Sequence, residues 1–354
     1  MKKFLLLLLG FVLPTLTISA ASNLANNEAK AITAFLSQTA ADGSSNAAML
    51  ENATVSNCPG LKIENGHVVE IDWSGKGLGG ELNLSGFSQL QKVNIDDNKI
   101  KMLMLTNNPV LTTVSASRNN MQGIAIEGCP QIVQLKLNRN RLTQLNIGGC
   151  PMLKKLNVAS NGISYLDASN SSTLETLNCM SNKMERLVVT NCTSLKNLYA
   201  GYNELEEIEL GGLVKLQNLN IQNNKIQKLY IQKLPELFTL ICTDNHMTQF
   251  SAQGCDQLND ISASYNDLTS FSLSECPNIS FISLAWNDLT SLTLSNLYQL
   301  QRLDVSYNQL EMLDVSFDSK LTYLNLTNNN LLSDLRTIGC QDLRQIVGEW
   351  DEQD

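Results

Sequence analysis

Only two histidines occur in this 354-residue chain, His67 and His246, and they lie far apart. No H-E-x-x-H, C-x-x-C or G-x-S-x-G phrase is present, which removes the common zinc-protease, thiol-redox and serine-hydrolase constellations. His246 sits beside a turn with no reactive serine placed for it and reads as a surface histidine. Gly75, Gly77, Gly79 and Gly80 lack the following lysine of a phosphate loop and read as a tight turn. Asp96, Asp97 and Asn98 lack the further acidic residues that a calcium site needs. The expectation is a protein that is not an enzyme, with no metal and no cofactor.

Positive charge is also short. The net charge is −9, which argues against nucleic acid and against a polybasic membrane contact. No apolar stretch of spanning length follows the first residues, so no membrane span is expected. Those first residues read as a leader. Lys2 and Lys3 precede the apolar run Phe4 to Leu13, Pro14 ends it, and Ser19, Ala20 and Ala21 offer a cleavage site. No cysteine follows that site for a lipid anchor. Residues 1–21 are assigned as a signal peptide of bacterial character, and the mature chain as secreted or displayed at the cell surface, with the periplasm as the other address.

What is abundant is asparagine at one interval. Asn98, Asn119, Asn140, Asn161, Asn182, Asn203, Asn224, Asn245, Asn266, Asn287, Asn308 and Asn329 recur every 21 residues without interruption. Each closes the phrase L-x-x-L-x-L-x-x-N, as in Leu300, Leu303, Val305 and Asn308. That phrase marks a leucine-rich-repeat solenoid. The L-x-L alternation predicts a short strand on one face, stacked turn on turn into a parallel sheet on the concave side. A second apolar phrase follows, as in Leu142, Leu145 and Ile147. It is too short for a helix and predicts an extended or turn-like arc on the opposite face. The asparagine side chains are expected to satisfy backbone groups where each strand ends.

The ends depart from the repeat, as solenoids require. Residues 22–66 are assigned as an N-terminal capping region. In it Asn26 to Gln38 form a short helix with Ala31, Ile32, Phe35 and Leu36 on one side. Residues 67–332 are the solenoid, and residues 333–354 a C-terminal cap and acidic tail, with Leu343, Ile346 and Trp350 closing the last turn.

Nine cysteines, an odd number, cannot all pair within the chain. Cys129, Cys150, Cys192, Cys255 and Cys276 share one repeat position, and Cys179 and Cys242 share another. Both columns point inward, as small buried hydrophobes would. Cys129 with Cys150, and Cys255 with Cys276, are the neighbours that a disulfide could join. Cys58 and Cys340 lie near the ends with partial exposure.

The 21-residue form with two L-x-L phrases resembles the internalin J-type repeats of bacterial surface proteins. Leu177, Asn178, Cys179, Ser181, Asn182 and Met184 fit one phrase, and Leu313, Asp314, Val315 and Ser316 the other. The resemblance covers residues 69–330 and implies an adhesin or recognition module. No L-P-x-T-G sorting signal accompanies it, which separates this chain from the family's cell-wall members.

Binding residues are sought at the outward third, fifth, seventh and eighth positions of the strand phrase. The C-terminal turns place Tyr202, Tyr265, Trp286 and Tyr307 at the eighth position, with Phe281, Tyr199 and Tyr323 nearby. The N-terminal turns offer Arg118, Lys136 and Arg139, flanked by Lys92 and Lys155. The aromatic residues read either as ligand contacts or as scaffold rings covering the adjacent turn. The basic residues read either as a binding stripe or as a solvated face. The function expected is an exported, monomeric recognition or adhesion module that binds a protein through the sheet face. A carbohydrate-binding surface protein and a structural spacer are the alternatives.

Overall fold

The computed structural model describes residues 24–348. The signal-peptide assignment, Trp350 and the acidic tail from Glu349 onward lie outside the described residues. Between those limits the chain winds into one parallel β-solenoid. Its principal sheet has 15 strands in chain order, and each strand within the repeat is three residues long, as Leu-x-Leu alternation requires. Register is exact to the repeat: Leu156 pairs with Leu177, Leu177 with Leu198, Leu198 with Leu219, and so on through Ile282, Leu303 and Leu324. A one-residue slip would turn these leucines outward, so burial locks the coil.

The second apolar phrase is extended, not helical. It forms three small sheets of three strands and one of two. Pairing lapses at residues 144–147 and 206–209. A parallel ladder needs strands about 4.8 Å apart. The concave arc holds that spacing at every turn, whereas the longer outer arc holds it in groups and breaks between them. The leucines, valines and isoleucines of both arcs meet in one continuous core.

Helix Asn26–Leu36 closes the N-terminal end, with Ile32, Phe35 and Leu36 buried. Phe35 stacks on Trp73 at 5.3 Å between ring centroids. Glu28 in the same helix is 1 % exposed, and its carboxylate accepts hydrogen bonds from the Val68 amide at 2.7 Å and from His67 Nδ1 at 3.0 Å. The first strand of the principal sheet, Leu61–Glu64, is antiparallel to His67–Asp72. The cap is therefore hydrogen-bonded into the sheet as well as packed on its end. Gly79 lies against the Thr39 carbonyl, where an added Cβ would approach to 2.5 Å. The glycine-rich stretch thus accommodates the cap.

The asparagine column is internal. Asn266 shows the pattern: Nδ2 donates to the carbonyls of Cys242 and Ala263 at 3.1 Å, and Oδ1 accepts from the Met247 amide at 3.1 Å. Each amide ties one turn to the turn before it. All nine cysteines are free thiols, seven of them buried and Cys58 and Cys340 half-buried. Cys129, Cys192 and Cys276 donate through Sγ to the carbonyl 24 residues earlier, so this column is polar in use as well as apolar in packing. Burial pushes the Cys150 and Cys179 thiols up to about 12.

Candidate binding surface

The residue before each scaffold asparagine holds a left-handed backbone. This is true of Asp97, Arg118, Arg139, Ser160, Ser181, Tyr202, Asn223, Asp244, Tyr265, Trp286, Tyr307 and Asn328, with φ between 52° and 59°. The turn demands it, since the strand must end and the asparagine must point inward one residue later. Glycine is the usual occupant of such a position, and a bulky side chain there costs about 1–3 kcal/mol. No glycine occurs in this column. The corresponding left-handed column of the outer arc is mostly glycine or asparagine, at Gly86, Asn107, Gly128, Asn170, Asn191, Gly212, Gly254, Asn296 and Gly339. The outer column also holds Lys233, Glu275 and Phe317 at positive φ, so left-handed strain occurs on both arcs, more often on the sheet side, where it holds side chains outward.

Three of those side chains form a stack. Tyr265 and Trp286 have ring centroids 5.8 Å apart at 11°, and Trp286 and Tyr307 4.0 Å apart at 8°. All three remain exposed at their edges. Tyr202 is also exposed, but Asn223 and Asp244 separate it from the stack within the column.

A second ridge runs parallel to the first along the third position of the phrase. Phe281, Arg302 and Tyr323 are paired neighbours in register, and the Arg302 guanidinium lies over the Tyr323 ring at 4.8 Å. Arg302 forms no ion pair among the described residues. Between the ridges is a floor of small polar residues. Ser264 and Ser283 are hydrogen-bonded at 2.7 Å, Ser306 donates to Asp304 at 2.6 Å, and Asn325 donates to Asp304 at 3.2 Å. The ridges stand five positions apart in each turn, at most about 17 Å in extended chain. The surface is a trough with aromatic walls and a polar floor.

Among the basic residues, Arg118 and Arg139 are neighbours in the left-handed column, and the others do not gather with them. Arg118 is paired with Asp97 at 3.2 Å. Lys136 and Arg139 stand in different columns, and Thr113 and Gln134 separate Lys92 from Lys155 within one column. Asp96 faces the same side and is held by the Ser115 hydroxyl at 2.7 Å and the Ser117 amide at 2.6 Å. Arg302 was absent from the sequence-based set. Its signal was an arginine flanked at one-repeat intervals by Phe281 and Tyr323.

On the outer arc, the lapse in pairing at residues 206–209 opens a groove of about 1000 Å³, lined by Glu185, Glu206, Glu207, Glu209, Lys228 and Tyr230 among others. His246 lies at its border with an exposed ring, 3.5 Å from Asp267.

Coil, register and asparagine ladder decide the architecture. It is a leucine-rich-repeat solenoid. The solenoid superposes on the leucine-rich-repeat protein LIC12759 of Leptospira interrogans with a TM-score of 0.56 and 22% identity, over 70% of this chain and 68% of that one. The Arabidopsis receptor kinase HAESA, solved with the peptide hormone IDA and the co-receptor SERK1, gives 0.52 and 20%, over 70% and 48%. The functional domain of InlJ from Listeria monocytogenes gives 0.49 and 23%, over 73% and 67%. No protein-family model matches the solenoid, and no curated protein matches it in sequence. At these identities the similarity is one of fold. No helix among the described residues is long and apolar enough to cross a membrane.

Proposed function

We propose that the solenoid is an exported recognition module that binds a protein partner in the trough of its C-terminal turns. One observation carries this reading: Tyr265, Trp286 and Tyr307, exposed side chains in three consecutive turns of the sheet-side column, stack ring on ring. Aromatic residues and arginine are the side chains that dominate protein-binding hot spots, and Arg302 supplies an unpaired cation in the trough wall. The partner segment that fits is an extended one, lying along the trough across the turns and bringing a carboxylate to Arg302. HAESA, of the same fold, is solved with a peptide bound, which supports peptide recognition as a capacity of the fold.

The stack bears on carbohydrate binding as well. Sugars pack on open ring faces, and both faces of Trp286 are covered by its neighbours. This favours a protein partner over a glycan. The test is a capture experiment on the protein's natural surroundings with wild type and Trp286→Ala/Tyr307→Ala side by side. The partner is retained by wild type and lost by the double variant. Equal retention would move the site elsewhere, and a signal on a glycan array would restore the carbohydrate reading.

A further inference from the structure

Asp318 is fully buried, and its Oδ2 has no hydrogen-bond partner. It stands at a repeat position that some turns give to a donor and others, at Leu213, Leu234 and Leu297, give to an apolar side chain. Asn108 occupies the equivalent position and donates through Nδ2 to Leu84 and Leu105, the carbonyls 24 and three residues earlier, at 3.0 and 2.9 Å. Cys129, Cys192 and Cys276 donate to the carbonyl 24 residues earlier in their own turns. Cys340, beyond the single extra residue of the last turn, donates to the Val315 carbonyl at 3.0 Å. In the Asp318 turn the equivalent acceptor is the carbonyl of Leu294. A carboxylate has nothing to donate to it, whereas a carboxylic acid has one O–H.

We propose that Asp318 is carried as the neutral acid, that its proton is a donor of the kind Asn108 and three of the cysteines supply at this position, and that the C-terminal turns are thereby a pH-responsive end of the solenoid. Oδ1 already has its partner, accepting from the Leu297 amide at 2.7 Å, which leaves Oδ2 as the protonated atom. The surrounding charges favour neutrality. The Cys340 thiol faces Asp318 from the next turn and is itself pushed up by burial. Asp314 adds a like charge from the strand before it. The nearby cation, Arg336, is bound by Asp334 at 2.6 Å and lies 3.9 Å from Asp314, so it is committed elsewhere. Burial is the leading cause that pushes Asp318 up to about 7 from the ordinary 3.8.

The sign follows from proton linkage. Between pH 4 and 7 the folded turns hold a proton that the unfolded chain has lost. Stability therefore falls as pH rises through that window, by up to about tenfold in the folding equilibrium per pH unit, and levels off above it. This end of the solenoid presents Tyr307 and Tyr323, so the window also governs the edge of the trough. The inference itself does not depend on what the trough binds.

The direct test is ¹³C NMR of the carboxyl carbons, with the Asp318 signal assigned by its loss in Asp318→Asn. A midpoint near pH 7 is expected, and a midpoint at or below 4 would overturn the proposal. Asp318→Asn and Asp318→Cys supply pH-independent donors. Both are expected to fold and to flatten the decline in stability between pH 4 and 7. Variant and wild-type curves that run parallel across that window would overturn it equally.

Discussion

Trp286 and Tyr307 lie ring on ring at 4.0 Å, one turn apart, while both hold φ near +57°, where bulky residues are rarely found (59° and 55°). Attraction and strain are thus built into the same two residues. An aromatic pair contributes about 0.5–1.5 kcal/mol, and each left-handed residue costs about 1–3 kcal/mol. One pair against two strained residues leaves a net cost, so the stack is poorly explained as a stabilising device.

Trp286→Gly separates stability from function. Glycine accepts the left-handed backbone freely, so loss of the stack is compensated by relief of strain. The expected change in unfolding free energy is within about 1 kcal/mol of zero by that balance, read by urea denaturation. Partner affinity is expected to fall at least about tenfold, the 1.4 kcal/mol scale of a hot-spot contact. A large loss of stability would mark the stack as scaffold.

The scaffold column behaves oppositely. Asn224 is buried, with Nδ2 donating to Ala200 and Ile221 and Oδ1 accepting from Leu205. Asn224→Ala strands those groups and is expected to cost about 1–3 kcal/mol. Asn224→Asp restores the acceptor but, when ionised, supplies no donor, so it should rescue little at neutral pH. Hydrogen exchange should show the turns on both sides of residue 224 opening together. A neutral Asn224→Ala would show that the amide column is dispensable.

The N-terminal cap rests on Glu28. Its carboxylate receives the Val68 amide and His67, alongside the buried Asn46, which bonds Phe35 and Gly79. Glu28→Ala leaves the Val68 amide unpaired and is expected to destabilise the cap by about 1–3 kcal/mol, seen as faster exchange in residues 26–36 and 67–72. Unchanged protection there would contradict that role.

The thiols provide a pH test. Burial raises Cys150 and Cys179 to about 12 and Cys58 and Cys192 to about 11, so their thiolates are disfavoured well past pH 9, while Cys255, lowered by its hydrogen bond with Cys276, is buried out of reach of a reagent. Alkylation of the native protein should be confined to the half-buried Cys58 and Cys340 and remain slow as pH rises from 7 to 9. All nine thiols should react once the chain is denatured without reductant. A count of seven or five would reveal pairing between neighbouring turns.

The sequence by itself determined the coil. A 21-residue interval held from Asn98 to Asn329 leaves one turn per repeat as the way to bury every leucine pair, and alternation sets which side chains face out. Extended backbone on the outer arc was legible from its length. The sequence also placed the aromatic residues in one column, because position within the repeat is position in space. It did not show that the column is left-handed in every turn. φ there is imposed by the strand's end and by the inward amide, which exist only once turns stack. Nor did it reveal the second ridge, where Arg302 acquires meaning from Phe281 and Tyr323 on adjacent strands. Asp318 stands in the inward column of the cysteines, ten residues after Asn308, but neither its protonation nor the role of Glu28 could be read from position alone. Only tertiary burial, which removes water and leaves a carboxyl to be judged by the groups that replace it, made one a cap anchor and the other a carrier of a proton.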